Sequence, residues 1–117
     1  MSLKDKIRSA KDIQSESVYV SEWDVTFEVR SMTAAERAIF VRASVDDEGE
    51  MDFTSMYVGI VAATAYDPET GTKVFEEGEK DLELLASKAG SAVEKLAIAG
   101  LRLSGMSKEA INKETKN

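Results

Sequence analysis

Two acidic clusters hold the residues of this sequence with the clearest capacity for chemistry. The first lies within residues 46–52 and the second within residues 76–83. Closely spaced carboxylates can bind calcium, whose protein ligands are oxygen atoms. An EF-hand loop centred on Gly49 would begin at Ser44 and end at Ser55, where a bidentate Glu is required. The first cluster is therefore predicted to be a solvated acidic loop and not a calcium site.

The second cluster contains enough carboxylates for the acid and base of a glycosidase. Nothing in the sequence places a pair of them in a cleft, and acidic residues also favour a helix start because they complement the helix dipole. The chain has no histidine and no cysteine. A histidine-activated serine, a thiolate nucleophile and a cysteine-based zinc site are therefore excluded. We predict no enzyme activity, no catalytic residue, no metal ligand and no cofactor.

Charge is distributed unevenly along the 117 residues, whose net charge is −7. Residues 1–12 and residues 102–117 each carry a net charge of +2, which leaves −11 on the middle of the chain. A chain with this excess of negative charge repels the phosphate backbones of nucleic acids. No apolar run of the sequence is long enough to span a bilayer. We therefore predict a cytoplasmic protein that binds neither nucleic acid nor membranes.

The elements that position these residues follow from hydrophobic periodicity. Apolar and polar residues alternate over residues 23–30, which predicts a strand with one buried face. Val18 and Val20 predict a shorter strand before it, with a turn near Ser21 and Glu22. The Pro- and Gly-containing turn at residues 67–71 predicts a second hairpin, in which Val74 and Phe75 form a short strand.

Helical spacing predicts the remaining elements. A short basic helix is expected at the N-terminus, and further helices are expected near residues 33–44, 53–64, 79–87 and 91–104. The predicted fold is α+β and helix-dominated, with a small antiparallel β-hairpin sheet packed against about four α-helices. We expect a basic N-terminal arm at residues 1–16, one globular domain at residues 17–105 and a polar, frayed tail at residues 106–117.

Two of these helices begin with the same capping-box pattern, in which Ser or Thr is followed three residues later by Glu. The pairs are Thr33 with Glu36 and Ser91 with Glu94. Gly105 predicts the end of the last helix. The first of the two helices is expected to bury Ala35, Ala38, Ile39 and Val45 or their near neighbours, and the helix at residues 53–64 is expected to bury Phe53, Met56, Tyr57, Ile60, Val61 and Thr64.

The last helix is the best candidate for partner binding. A stripe of apolar residues at alternating spacings of four and three leads into this helix and continues along it: Leu85, Ala89, Ala92, Leu96, Ala99 and Leu103. A helix that is apolar over so much of its circumference is either central in the core or shared between the core and a partner. Its Ala and Gly edge would permit close approach of another helix. We predict these six residues as the partner-binding face.

The order of several short motifs resembles that of a known family. Glu22-Trp23 precedes the alternating strand, Met32-Thr33 and Glu36-Arg37 open a helix, and residues 66–71 precede Val74-Phe75. An aliphatic helix, an acidic helix start and the ending at residues 101–105 complete the pattern. Together these features resemble the short tail assembly chaperones of long-tailed phages, over roughly residues 18–105.

The resemblance implies a function without catalysis. Such chaperones bind the long helical tape measure protein, keep it soluble and bring major tail tube subunits to it during tail assembly. It implies a protein of the host bacterial cytoplasm that is absent from the mature virion, with self-association as a further expectation. Many members also have a longer form made by frameshifting, and the codons for residues 115–117 are compatible with a slippery run. A structural phage neck or tail component and a generic small cytosolic adaptor domain remain alternatives.

Overall fold

The computed structural model describes residues 2–76 and 78–106. Within these residues the chain forms five helices and a three-stranded antiparallel sheet. The elements in chain order are α1 (Leu3–Ser9), β1 (Ser15–Val20), β2 (Val25–Arg30), α2 (Ala34–Ala43), α3 (Phe53–Thr64), β3 (Ala65–Tyr66), α4 (Glu79–Ser87) and α5 (Gly90–Leu103). The predicted helix-dominated α+β fold is confirmed. The predicted domain boundaries stay a prediction, and residues 107–117 of the predicted tail lie outside the described residues.

The sheet has the order β1-β2-β3, and its first hairpin turns through residues 21–24. Val20 pairs with Val25 across the end of the hairpin, close to the predicted turn. Asp24 closes the turn in the left-handed region with φ of 51°, and its carboxylate accepts a 2.8 Å hydrogen bond from the Tyr19 hydroxyl. Phe27 and Val29 are buried as predicted, whereas Val25 is exposed and Trp23 is partly exposed beside the turn.

The second predicted hairpin is shorter than expected. β3 pairs with β2 through Ala65 and Tyr66, and Tyr66 also forms a single bridge with Lys73. The turn between them is closed by Gly71, which has a φ of 74°. The strand predicted at Val74 and Phe75 is wrong: the Val74 N–H donates to the Ala65 carbonyl at 3.1 Å beside the bridge at Lys73, but neither residue belongs to a strand. Phe75 instead packs inward, where its ring stacks on Phe27 at 6.1 Å.

Helix α3 lies at the centre of the core and contacts α2, α4 and α5. The predicted buried stripe at Met56, Ile60 and Val61 is confirmed, and the buried Thr64 hydroxyl donates to the Ile60 carbonyl at 2.6 Å. Phe53 is wrong as a core residue, because it lies in the first turn of the helix and is about half exposed. α3 therefore forms the surface against which the other helices are positioned.

Helix α2 contributes only one fully buried side chain, Phe40, which packs over Gly59 of α3. Three of the residues predicted to be buried, Ala35, Ala38 and Ile39, are exposed. The periodicity was ambiguous, because alanines at helical spacing are typical of a buried face but also occur on exposed faces. In α2 the large side chain of Phe40 determines which face packs against α3. The predicted capping box at Thr33 and Glu36 is present.

Candidate functional site

Helix α5 has two faces with different surroundings. Its buried residues are Ala92, Val93, Leu96, Ala97, Ala99, Gly100 and Leu101, and they pack mainly against α3, β1 and β2. Its outer face carries Glu94, Ile98 and Arg102, which are spaced by four residues and lie on one exposed stripe. The helix is thus shared between the core and the surface.

The close approach predicted for a partner helix is made by the chain's own α3. A Cβ atom added to Gly100 would lie 2.6 Å from Thr64 Oγ1 and 3.1 Å from Ile60 Cγ1. Distances this short leave no room for a side chain, so glycine is required for α5 to pack at this distance. The edge of α5 that carries small residues therefore packs against α3 inside the chain's own core.

Most of the six predicted partner-binding residues lie in that core. Leu85, Ala92, Leu96 and Ala99 are buried together, Leu103 is partly buried, and Ala89 is exposed where α5 begins. The structure brings four of the six together but not as an accessible surface. Their binding role stays a prediction, and Leu85 also lines a surface groove.

The capping box predicted at Ser91 and Glu94 is wrong. α5 begins at Gly90 with Ala89 as its N-cap residue, and no side chain caps it. The Ser91 hydroxyl donates instead to Glu22 Oε2 at 2.6 Å, which ties the start of α5 to the hairpin turn. This hydrogen bond is the main reason that the pKa of the exposed Glu22 lies below its ordinary value. Sequence pattern alone did not reveal this partner because it is 69 residues away.

An open groove runs along α5 beside α3. Two adjoining depressions form it, of about 290 and about 580 Å³, and both are lined by Tyr57 and Glu94. We call this the α3–α5 groove, and its main lining residues are Tyr57, Val58, Leu85, Val93, Ile98, Leu101 and Met106. Glu94 and Arg102 also line it, so a largely apolar floor has charged side chains of both signs beside it.

Ile98 is the most accessible large apolar residue of this groove. Its side chain is 51% exposed, although it sits on a helix otherwise packed into the core. Arg102, one turn further along, pairs with Glu16 of β1. Sequence periodicity did not identify Ile98 as a site residue, because Ile98 lies outside the main apolar stripe. The one sequence signal for an exposed apolar residue was an isoleucine four residues after Glu94 and four residues before Arg102.

The acidic loop after α2 has a structural role in the described chain. Asp46 Oδ1 accepts hydrogen bonds of 2.9 Å from the backbone N–H groups of both Glu48 and Glu50. Among residues 2–76 and 78–106, no three Asp or Glu side chains cluster as a metal site would require. Over the same residues, no helix has both the length and the apolarity needed to cross a membrane.

Comparison with known proteins identifies the fold. No protein-family model matches the sequence, and no curated protein matches it either. Among solved structures, the tail assembly chaperone of bacteriophage HK97 superposes with a TM-score of 0.56 at 17% sequence identity. The match covers 86% of this chain and 95% of the HK97 chain. The chain therefore has the fold of a phage tail assembly chaperone, as the order of its sequence motifs predicted.

Proposed function

We propose that this protein is a phage or prophage tail assembly chaperone that binds and solubilises a tape measure protein in the host cytoplasm. In this proposal it helps to recruit major tail tube subunits and is absent from the mature virion. The single observation that carries the proposal is the open apolar α3–α5 groove on a chain with the HK97 chaperone fold. The proposed activity is binding and requires no catalytic residue.

The dimensions of the groove suit an amphipathic helix as its occupant. α5 has 14 residues, so the groove beside it extends over about 21 Å, or roughly four helical turns. An amphipathic helix binds such a groove with apolar residues at spacings of three and four. Tyr57 lies where the two depressions meet, and Ile98 offers an accessible apolar contact in the larger one. A tape measure protein, being long and helical, presents stripes of this kind.

The charge of the chain suits a solubilising role. The net charge of −7 adds a repulsive surface to any complex, and like charge opposes aggregation of apolar clients. Glu94 and Arg102 beside the groove favour a client helix with both charge signs next to its apolar stripe. In this proposal the groove supplies affinity and the acidic body supplies solubility.

Four of the six residues predicted from the sequence take a supporting part in this proposal. Leu85 lines the groove directly. Ala92, Leu96 and Ala99 lie on the buried side of the same helix and fix its position against α3. Replacing Ala92 or Ala99 with Glu would therefore bury an unpaired carboxylate and unfold the domain, so such variants cannot test binding by a folded chain.

The test is co-expression of this chain with the tape measure protein of the same phage or prophage, with solubility and co-purification as readouts. The wild-type chain should keep the client soluble and co-purify with it. Ile98→Glu should abolish both effects, because a carboxylate would replace the most accessible apolar contact of the groove. Because Ile98 is already 51% exposed, the variant should retain wild-type circular dichroism and melting temperature.

Ile39→Glu is the matched control. Ile39 is also an exposed isoleucine on a helix, with 59% exposure, but it lies on α2 outside the α3–α5 groove. This variant should bind the client as the wild type does. Equal loss in both variants, or normal binding by Ile98→Glu, would reject the groove as the binding site. A client that stays insoluble with the wild type would reject the chaperone function, and detection of the chain in purified particles would favour a structural neck or tail component.

A further inference from the structure

The α3–α5 groove carries charged side chains at three positions along its length. Lys88 lines the depression at the start of α5, Glu94 lies where the two depressions meet, and Arg102 lines the other depression. The guanidinium of Arg102 pairs with Glu16 of β1, which balances its charge. Among residues 2–76 and 78–106, the side chains of Lys88 and Glu94 form no hydrogen bond and no ion pair. Two charges of opposite sign can therefore pair with an occupant of the groove.

The end of the groove at Lys88 is the positive one. α5 begins two residues later, at Gly90, and no side chain caps its first turn. The N–H groups of that turn add the positive end of the helix dipole to the lysine ammonium. Gly90 lines the same depression, and a Cβ atom added to it would have no atom within 4 Å, so the space around the start of the helix is open. This end of the groove favours an acidic side chain of the occupant.

The sign of the charge reverses at Glu94. Its side chain is exposed and lies beside an apolar floor that includes Val58 and Val93. The adjacent Lys95 is exposed as well but lines neither depression, so it does not cancel the negative charge inside the groove. A basic side chain of the occupant is favoured at this point, where the occupant also passes Tyr57.

The spacing of the two charges specifies a pattern on the occupant. Glu94 lies about 6 Å from Gly90 along the axis of α5, and Lys88 and Ala89 are extended, which adds at most about 7 Å. The two charged residues are therefore at most about 13 Å apart. On an α-helix, residues seven positions apart are separated by about 10.5 Å and lie on the same face. An acidic and a basic residue at this spacing can each face one of the two groove charges.

We propose that the client segment in the α3–α5 groove is an amphipathic helix with an acidic and a basic residue seven positions apart beside its apolar stripe. The acidic residue faces Lys88 and the basic residue faces Glu94. This inference rests on the proposed function, because it specifies which segments of the tape measure protein the groove accepts. Apolar contacts at Tyr57 and Ile98 supply affinity, and the charge pair fixes register. The order of the two residues along the client sequence then determines whether the client helix runs parallel or antiparallel to α5.

Three synthetic peptides of about 18 residues, or roughly five helical turns, test the pattern. They share one leucine stripe, and at two positions seven apart beside it they carry Glu and Lys, Glu and Glu, or Lys and Lys. Residues on the opposite face are adjusted so that all three peptides have the same net charge. Fluorescence anisotropy measures their binding to the full chain.

The wild type should bind the peptide with Glu and Lys about threefold more tightly than either of the others, because a partly exposed ion pair contributes modestly to affinity. The difference should disappear at about 1 M salt, where the Debye length is only about 3 Å. Equal binding of the three peptides at low salt would overturn the proposed charge pattern.

Charge reversal in the chain tests the assignment of each partner. Lys88→Glu should shift the preference to the peptide with two Lys residues, and Glu94→Lys should shift it to the peptide with two Glu residues. Lys95→Glu is the matched control, because it reverses a charge of the same helix outside the groove, and it should keep the wild-type preference. All three residues are exposed, so the variants should keep the wild-type melting temperature.

The outcomes separate this inference from the proposed function. A peptide preference that Lys88→Glu and Glu94→Lys leave unchanged would refute the charge pattern, whereas loss of peptide binding in Ile98→Glu would still support the groove as the client site. Failure of the wild type to bind any of the three peptides would reject the groove itself and the charge pattern with it.

Discussion

Helices α2 and α5 start from the same sequence pattern and are stabilised in different ways. At the start of each, a Ser or Thr precedes a Glu by three residues, Thr33 with Glu36 and Ser91 with Glu94. In α2 the pattern forms a complete capping box, yet the helix buries only Phe40. In α5 no side chain caps the first turn, yet seven residues of the helix are buried.

The difference shows whether local interactions or tertiary contacts stabilise each helix. Short helices are marginal in water, so a helix with few buried contacts depends on its local hydrogen bonds and charges. A helix held by a large apolar face can start without a side-chain cap, because packing fixes its first turn. α2 is therefore stabilised locally, whereas α5 is stabilised by tertiary contacts. The same contacts fix the position of the exposed stripe of Glu94, Ile98 and Arg102.

The largest expected effect is loss of packing under α5. Leu96→Ala should lower the free energy of unfolding by about 2–5 kcal/mol, because it removes a fully buried side chain and leaves a cavity. Ile39→Ala on α2 should change it by less than about 0.5 kcal/mol, since the residue is exposed. Urea unfolding followed by circular dichroism measures both. Similar losses in the two variants would contradict the proposed difference between the helices.

Two glycines at helix contacts with α3, Gly100 of α5 and Gly59 of α3 itself, sharpen the comparison. Gly100→Ala should destabilise the protein by about 1–3 kcal/mol, because the added Cβ would lie 2.6 Å from Thr64 Oγ1. Gly59→Ala should stabilise it by up to about 1 kcal/mol, because alanine has the higher helix propensity and its Cβ would lie 3.6 Å from the Phe40 ring, an ordinary contact. The melting temperature should therefore fall for Gly100→Ala and rise for Gly59→Ala. A change in the same direction for both variants would show that α2 and α5 pack equally tightly on α3.

The sequence predicted the elements well because their determinants are local. The alternating strand, the apolar stripe of α3, the cap at Thr33 and the stop at Gly105 each depend on residues within one or two turns. The fold class followed from their order, and the HK97 chaperone match agrees with it. These features could be predicted without knowing which helices and strands contact one another.

The candidate site was harder to predict because it depends on tertiary contacts. A face of Leu and Ala at helical spacing has the same pattern whether it packs on the chain's own α3 or on a client. The contact of Gly100 with Thr64 and the bond from Ser91 to Glu22 join segments 36 and 69 residues apart. Only the structure could show that Ile98, outside the main stripe, remains accessible.

The smallest expected effect concerns the glutamates of the two capping patterns. In α2, Glu36 Oε1 accepts the Thr33 N–H at 2.9 Å, and Glu36 Oε2 lies 3.3 Å from Lys73 Nζ. Partial burial raises the pKa of Glu36, but the hydrogen bond from Thr33 and the Lys73 ammonium outweigh it and hold the pKa below its ordinary value of 4.5. A lowered pKa in the folded state stabilises the protein above the unfolded-state pKa, and this stability is lost as pH falls through the folded-state pKa.

Glu36→Gln should therefore lower the free energy of unfolding by about 0.5 kcal/mol at pH 7, because glutamine keeps the cap geometry but not the charge. Below the folded-state pKa of Glu36 the variant and the wild type should be equally stable, so the gap between them closes on acidification. Glu94→Gln is the matched control, because Glu94 caps nothing in α5, and at pH 7 it should lower the free energy of unfolding by less than Glu36→Gln does. Urea unfolding at pH 7 and pH 3 measures both, and an equal gap for the two variants would mean that the cap contributes no more to α2 than the uncapped pattern contributes to α5.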